Sequence, residues 1–119
     1  MNIIMGQQNV QDLDDKYTVL ELDTFRIQGS TDPVTAYCLV EHLPLEEMLQ
    51  LESFKELHTN LIKNYRLKNW RYCEDAIEHL MPRWGGELRS YYEELSSRIN
   101  SLKQQDLEPD WDGIITKMI

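Results

Sequence analysis

Positive charge is scarce at the start of this chain, and that scarcity excludes more than any motif does. Of its 119 residues, 12 are Lys or Arg and 21 are Asp or Glu, a net charge of −9. The deficit is uneven: residues 1–60 hold 3 basic against 11 acidic residues, whereas residues 61–119 hold 9 against 10. An acidic surface repels phosphate backbones and anionic lipid, so neither nucleic acid nor membrane is expected as a partner. Long apolar runs are missing too. None approaches the ~18 residues of a spanning helix, and Met1 to Gly6 carries no charged region ahead of a long apolar stretch, so no signal peptide is expected. Cysteine is limited to Cys38 and Cys73, each inside an apolar pattern, which reads as two buried free thiols in a reducing cytoplasm.

The usual carriers of chemistry are equally sparse. No Gly-rich phosphate loop, nucleophile elbow or zinc spacing occurs. His42, His58 and His79 form no i, i+4 pair with another His or Cys and read as surface or boundary residues. Asp12, Asp14 and Asp15 lack the Gly and terminal Glu of a calcium loop, so they read as a solvated face and no metal is expected.

What is present is an ordinary globular composition, 41% apolar and 28% charged, long enough for one domain or a small domain with an appended module. The sharpest pattern is Val19 to Leu39, which reads as a β-hairpin. Its first arm is apolar at Leu20 and Leu22 and then, on the other parity, at Phe25 and Ile27, so a bulge or bend belongs at Asp23-Thr24. Gln28 to Pro33 supplies the turn, and Val34 to Val40 is apolar at nearly every position, as a strand buried on both faces would be. Ahead of it, Asn2 to Met5 reads as a short strand closed by Gly6, and Gln7 to Lys16, apolar only at Val10 and Leu13, as a short amphipathic helix.

After Val40 the period becomes helical. Leu45 to Leu51 reads as a short helix behind Pro44, and Ser53 with Glu56 fits a capping box. Phe54, Leu57, Leu61 and Tyr65 then stripe a first long helix; Trp70, Cys73, Ala76, Ile77 and Leu80 a second, capped by Asn69; and Leu88, Tyr91, Leu95, Ile99 and Leu102 a third, after the break at Pro82 and Gly85-Gly86. In the tail, Trp111 is expected to dock onto the body and pin it.

Several stretches in order resemble a known family. Ile3 to Gly6, then Glu21-Leu22-Asp23-Thr24-Phe25-Arg26-Ile27-Gln28-Gly29 and Asp32-Pro33-Val34-Thr35-Ala36-Tyr37, look like the C-terminal end of a class III adenylate/guanylate cyclase catalytic domain, whose last strands read roughly ELD-x-hydrophobic-R-V-K-G and EPV-x-Y-E-L. Bacterial members often continue into a tetratricopeptide-like stretch built around Y-x-x-x-x-W-x-x-A and finish with W-D-G. Tyr65, Trp70 and Ala76, then Tyr92, Leu95 and Arg98, and finally Pro109-Asp110-Trp111-Asp112-Gly113 are similar to that continuation.

The resemblance implies an α+β fold: a β-α-β-β, partial ferredoxin-like sheet followed by a three-helix, tetratricopeptide-like module. The divisions expected are 1–42 for the cyclase-like half-domain, 43–52 for a connector, 53–103 for the helical module and 104–119 for the tail. It also implies that the family's metal-binding aspartates, base-recognising residues and Asn/Arg pair lie ahead of the matched segment. No catalytic or metal residue is therefore expected in this chain and no cofactor, although the family uses Mg or Mn with ATP or GTP. One nucleotide-binding position falls inside, the phosphate-binding Lys of the hairpin turn, and here it is Gln28, a neutral amide that cannot neutralise a triphosphate. The expected function is that of a catalytically incomplete piece of a cyclase, cytoplasmic, inactive alone, and self-associating through exposed sheet edges or joining a cyclase subunit. Leu20, Leu22, Phe25, Ile27, Trp70 and Trp111 are the expected interaction residues. The alternative is a tetratricopeptide-like module that holds a partner peptide or helix.

Overall fold

In the computed structural model, residues 2–10, 13, 17–27, 29, 32–41 and 43–117 are described. They build an α+β chain with strands β1 (Asn2–Met5), β2 (Thr18–Ile27) and β3 (Val34–Val40), helices α1 (Leu45–Met48), α2 (Leu51–Arg66), α3 (Trp70–Leu80) and α4 (Arg89–Leu102), and a last strand β4 (Ile115–Lys117). The chain divides into two compact units, one of Met1–Glu41 with Gly113–Ile119 and one of His42–Asp112. The segment from Leu45 to Met48, expected as connector, thus belongs to the helical unit, and the expected tail is shared between the two.

The sheet unit has strand order β1-β3-β2-β4. β2 and β3 form the antiparallel hairpin, with Thr18 opposite Val40 and Phe25 opposite Val34, and between Glu21 and Thr24 the register shifts so that Leu22 and Asp23 together face Ala36. This is the bulge that the parity change requires: it carries Leu20, opposite Cys38, and Phe25, opposite Val34, onto one face of β3. Across the shift the Thr24 and Thr35 hydroxyls hydrogen bond at 3.0 Å. Leu20, Leu22, Ala36, Cys38 and Val40 are buried, while the alternate residues of β3 are only half-buried, so the strand is less enclosed than its composition suggested.

Between β1 and β2 a 3-10 turn at Gln7–Asn9 stands where a helix was expected to begin. Gly6 (φ 92) precedes it, and the Asn9 side chain spends its amide on the Met5 carbonyl, closing a local bond that competes with continued α-helix. Of that expected helix, residues 11, 12 and 14–16, with the three aspartates, lie outside the described residues.

In the helical unit the three long stripes form helices, with two adjustments. α2 starts at Leu51, two residues before the capping box, and its N-cap Gln50 makes no side-chain cap bond. Asn69 is the N-cap of α3, yet its side-chain amide donates to Asn64 Oδ1 at 2.8 Å instead of capping. The core holds Leu61, Cys73, Leu80, Trp84, Leu88, Tyr92, Leu95 and Ile99, all essentially solvent-free. Cys73 and Cys38 are buried free thiols, as their patterns imply. No helix among the described residues is long and apolar enough to cross a membrane.

Candidate functional site

The densest polar constellation lies inside the helical unit and was not visible in the sequence. It starts at Glu47 on α1, a carboxylate in a residue only 8% exposed. A buried anion is tolerable only when fully hydrogen bonded. Here the backbone N–H of Trp84 donates to Oε1 at 2.6 Å, and that of Gly85 faces Oε2 at 3.4 Å. Both donors converge because Trp84 (φ 59), Gly85 (φ 62) and Gly86 (φ 81) follow one another in left-handed backbone, which turns successive N–H groups into an anion-holding concavity. Glycine takes that conformation freely; Trp84 does so at a cost.

From Trp84 the constellation continues. Its indole Nε1–H donates to the Tyr92 hydroxyl at 2.9 Å, and the same hydroxyl lies 2.8 Å from His58 Nδ1, a bond whose donor is set by the His tautomer. The rings of Phe54, Tyr91 and Tyr92 close around this line, with Phe54 edge-on to Trp84 at 6.4 Å and Tyr91 at 5.5 Å from Tyr92. The Arg83 guanidinium caps the Phe54 ring at 4.5 Å. With His58 and Trp84 each 1% exposed and Tyr92 at 0%, a substrate would have to unpack the core to reach them. The His58 imidazole, expected at the surface or at a boundary, is fully buried.

A second constellation gathers residues that the sequence did single out. Tyr65 on α2, Trp70 on α3 and Trp111 beyond α4 stack edge-to-face on one another, with centroids 5.8, 5.4 and 5.6 Å apart. Arg98 from α4 places its guanidinium 6.0 Å from the Tyr65 ring while bridging Glu94 at 3.1 Å, and Lys68 Nζ donates to the Glu108 carbonyl at 3.1 Å. Trp111 therefore docks onto the helices and pins the segment after α4. Trp70 and Trp111 are half-buried against each other, so here they serve packing.

The other expected interaction residues are scattered by the fold. Leu20 and Leu22 are buried at 3% and 5%, Phe25 is half-buried, and Ile27 is exposed at the end of β2, where it pairs with Lys117 of β4. The hairpin is not the outer edge of the sheet: β1 flanks β3, and β4 runs parallel to β2 from Phe25 to Ile27. Exposed apolar side chains sit instead on the edge strand β1, at Ile3 and Met5. Gln28, the one position carried over for nucleotide, lies outside the described residues. Among the described residues no cluster of three or more His, Cys, Asp or Glu could hold a metal. No family model, curated protein or solved structure matches the chain.

Proposed function

We propose that this chain is a catalytically incomplete piece of a class III nucleotide-cyclase-like protein that works by association. The observation that carries the reading is the convergence of Tyr65, Trp70, Arg98 and Trp111. These residues come from three separate stretches whose order resembles the cyclase continuation, and they meet in one cluster, as parts of one inherited module would. The order of elements is also compatible: strand, bulged hairpin, helices and a returning strand. A sheet of this kind gains by adding strands at its edge, and β1 offers one, with Ile3 and Met5 exposed on a strand whose outer side pairs with no other strand among the described residues. The tetratricopeptide-like holding function is less favoured, because Trp111 of the same chain is already seated against α2 and α3.

Incubation with ATP or GTP and Mg²⁺ or Mn²⁺ should give no cyclic nucleotide above a buffer blank. Product formation by the purified chain would overturn the proposal. Ile3→Lys, which places a charge on the exposed face of β1, should weaken association with a cyclase-like partner without lowering the melting temperature.

A further inference from the structure

Helix α1 is fastened by one side chain. Of residues 45–50 only Glu47 is buried, while Leu45, Met48 and Leu49 are exposed at 74, 56 and 84%. Burying a carboxylate costs free energy and leaving apolar side chains in water forgoes it, so the helix lies this way because of what the carboxylate reaches. Gln50 (φ −119, ψ 18) interrupts the helical backbone between α1 and α2 and gives α1 a joint.

The turn that receives Glu47 holds its shape by other means. Its backbone is closed by Gly86 N–H to the Arg83 carbonyl at 3.0 Å and Glu87 N–H to the Trp84 carbonyl at 3.1 Å, and the Trp84 ring is fixed through Nε1–H to Tyr92. Three consecutive residues have positive φ, and one of them, Trp84, bears a side chain that makes this costly. A Cβ at Gly86 would meet nothing within 4 Å, so glycine serves there for its conformation and not for want of room. Gly85 and Gly86 are exposed, which puts one lip of the concavity in solvent.

The tethered carboxylate fits this concavity unevenly, at 2.6 Å from the Trp84 N and 3.4 Å from the Gly85 N. A carboxylate without a tether is free to centre itself between the two donors. Arg83 and Glu87 bracket the turn in the chain, each with one buried atom that has no hydrogen-bond partner, Nε and Oε2. Their opposite charges offset, which leaves the oriented N–H pair to select the ligand.

We propose that the turn Trp84–Gly86 is a binding site for a small aliphatic carboxylate, and that Glu47 is its built-in competitor, seated and withdrawn by α1 as a strap. The two oxygens of one planar group match two adjacent N–H donors, and hydrogen bonds to an ionised acceptor are the strong ones. Being tethered, Glu47 acts at a high effective concentration, so a free carboxylate enters only as α1 swings out. The site lies outside the sheet and outside the stretches that resemble a cyclase, so it stands or falls apart from the function proposed above.

Acetate supplies the atoms that Glu47→Ala removes beyond Cβ, one carbon and a carboxylate. In urea titrations followed by circular dichroism, acetate should stabilise Glu47→Ala saturably. The folded-to-unfolded ratio should rise about tenfold when acetate exceeds its dissociation constant about tenfold. Chloride and acetamide at the same concentrations should do less, and Glu47→Gln, whose amide keeps the seat, should gain nothing from acetate. A gain from acetate no larger than that from chloride or acetamide would overturn the site. Where Glu47→Ala does not fold unaided, recovery of its helical signal by acetate and not by acetamide supports the site, and no recovery refutes it. The strap is tested in the unaltered chain: corrected for intrinsic rates, the Trp84 N–H should exchange with deuterium faster than those of Tyr92 and Leu95 in α4. Equal rates would mean that Glu47 leaves only when the whole unit unfolds, and would overturn the strap.

Discussion

At the scale of single residues, Glu47 has the most consequences for its size. Replacing it by Ala leaves the Trp84 and Gly85 N–H groups facing a buried space, and an unsatisfied buried donor costs about 1–3 kcal/mol. Urea titration followed by tryptophan fluorescence should show a loss of that order for Glu47→Ala and a smaller one for Glu47→Gln, whose amide oxygen still accepts. Tyr92→Phe should cost a similar ~1–3 kcal/mol, since one hydroxyl serves both Trp84 Nε1 and His58 Nδ1. Cys73 makes a pH prediction. Burial, assisted by the Glu74 carboxylate, pushes its thiol from 9.0 up to about 11. The folded state therefore holds the neutral thiol where the unfolded chain has begun to ionise, so this contribution is complete below pH 9 and is lost as pH rises through about 11. A thiol reagent at pH 8 should modify Cys73 only as fast as the helical unit opens. The burial of Cys73 was legible in its apolar stripe, but the roles of Glu47, Tyr92 and His58 were not, because a polar residue's burial depends on partners, Glu47 on Trp84 and His58 on Tyr92, that are far apart in the chain and share no local pattern.

At the scale of elements, the pattern spoke more clearly. The parity change in β2 located a bulge that the register shows at Leu22-Asp23, and the three stripes located α2, α3 and α4, because periodicity is set by each segment's own buried face. Removing Asp23 should be tolerated: Leu20 would still face Cys38 and Phe25 would still face Val34, and the variant should keep a cooperative thermal transition. Trp111→Ala should lose two edge-to-face ring contacts and cost about 1–3 kcal/mol by the same urea assay, with Trp111→Phe recovering part of it. Two elements escaped the sequence: the 3-10 turn after β1 was hidden by the local Asn9 bond, and β4 is only three residues long and takes its order from β2. The short helix α1 was expected behind Pro44, but not the inward turn of its Glu47 carboxylate.

At the scale of the whole molecule, the two units divide the work of holding the chain together. The core of the helical unit, from Leu61 through Trp84 to Ile99, belongs to residues 42–112 alone, as do its polar line and aromatic cluster. Residues 42–112 expressed by themselves should therefore retain helical circular dichroism and a cooperative urea transition; a featureless, gradual transition would show that the sheet unit is needed. The sheet unit is different, since it is made of two stretches separated by the entire helical unit. Phe25 waits for Ile115, ninety positions later, before its outer ladder is filled. During synthesis at about 5–20 residues per second, that interval is roughly 5–20 s. For that time the nascent hairpin has a vacant flank while the helices downstream can already condense, which makes the emerging polypeptide, more than the finished one, the form most exposed to mispairing with a neighbour on the same message.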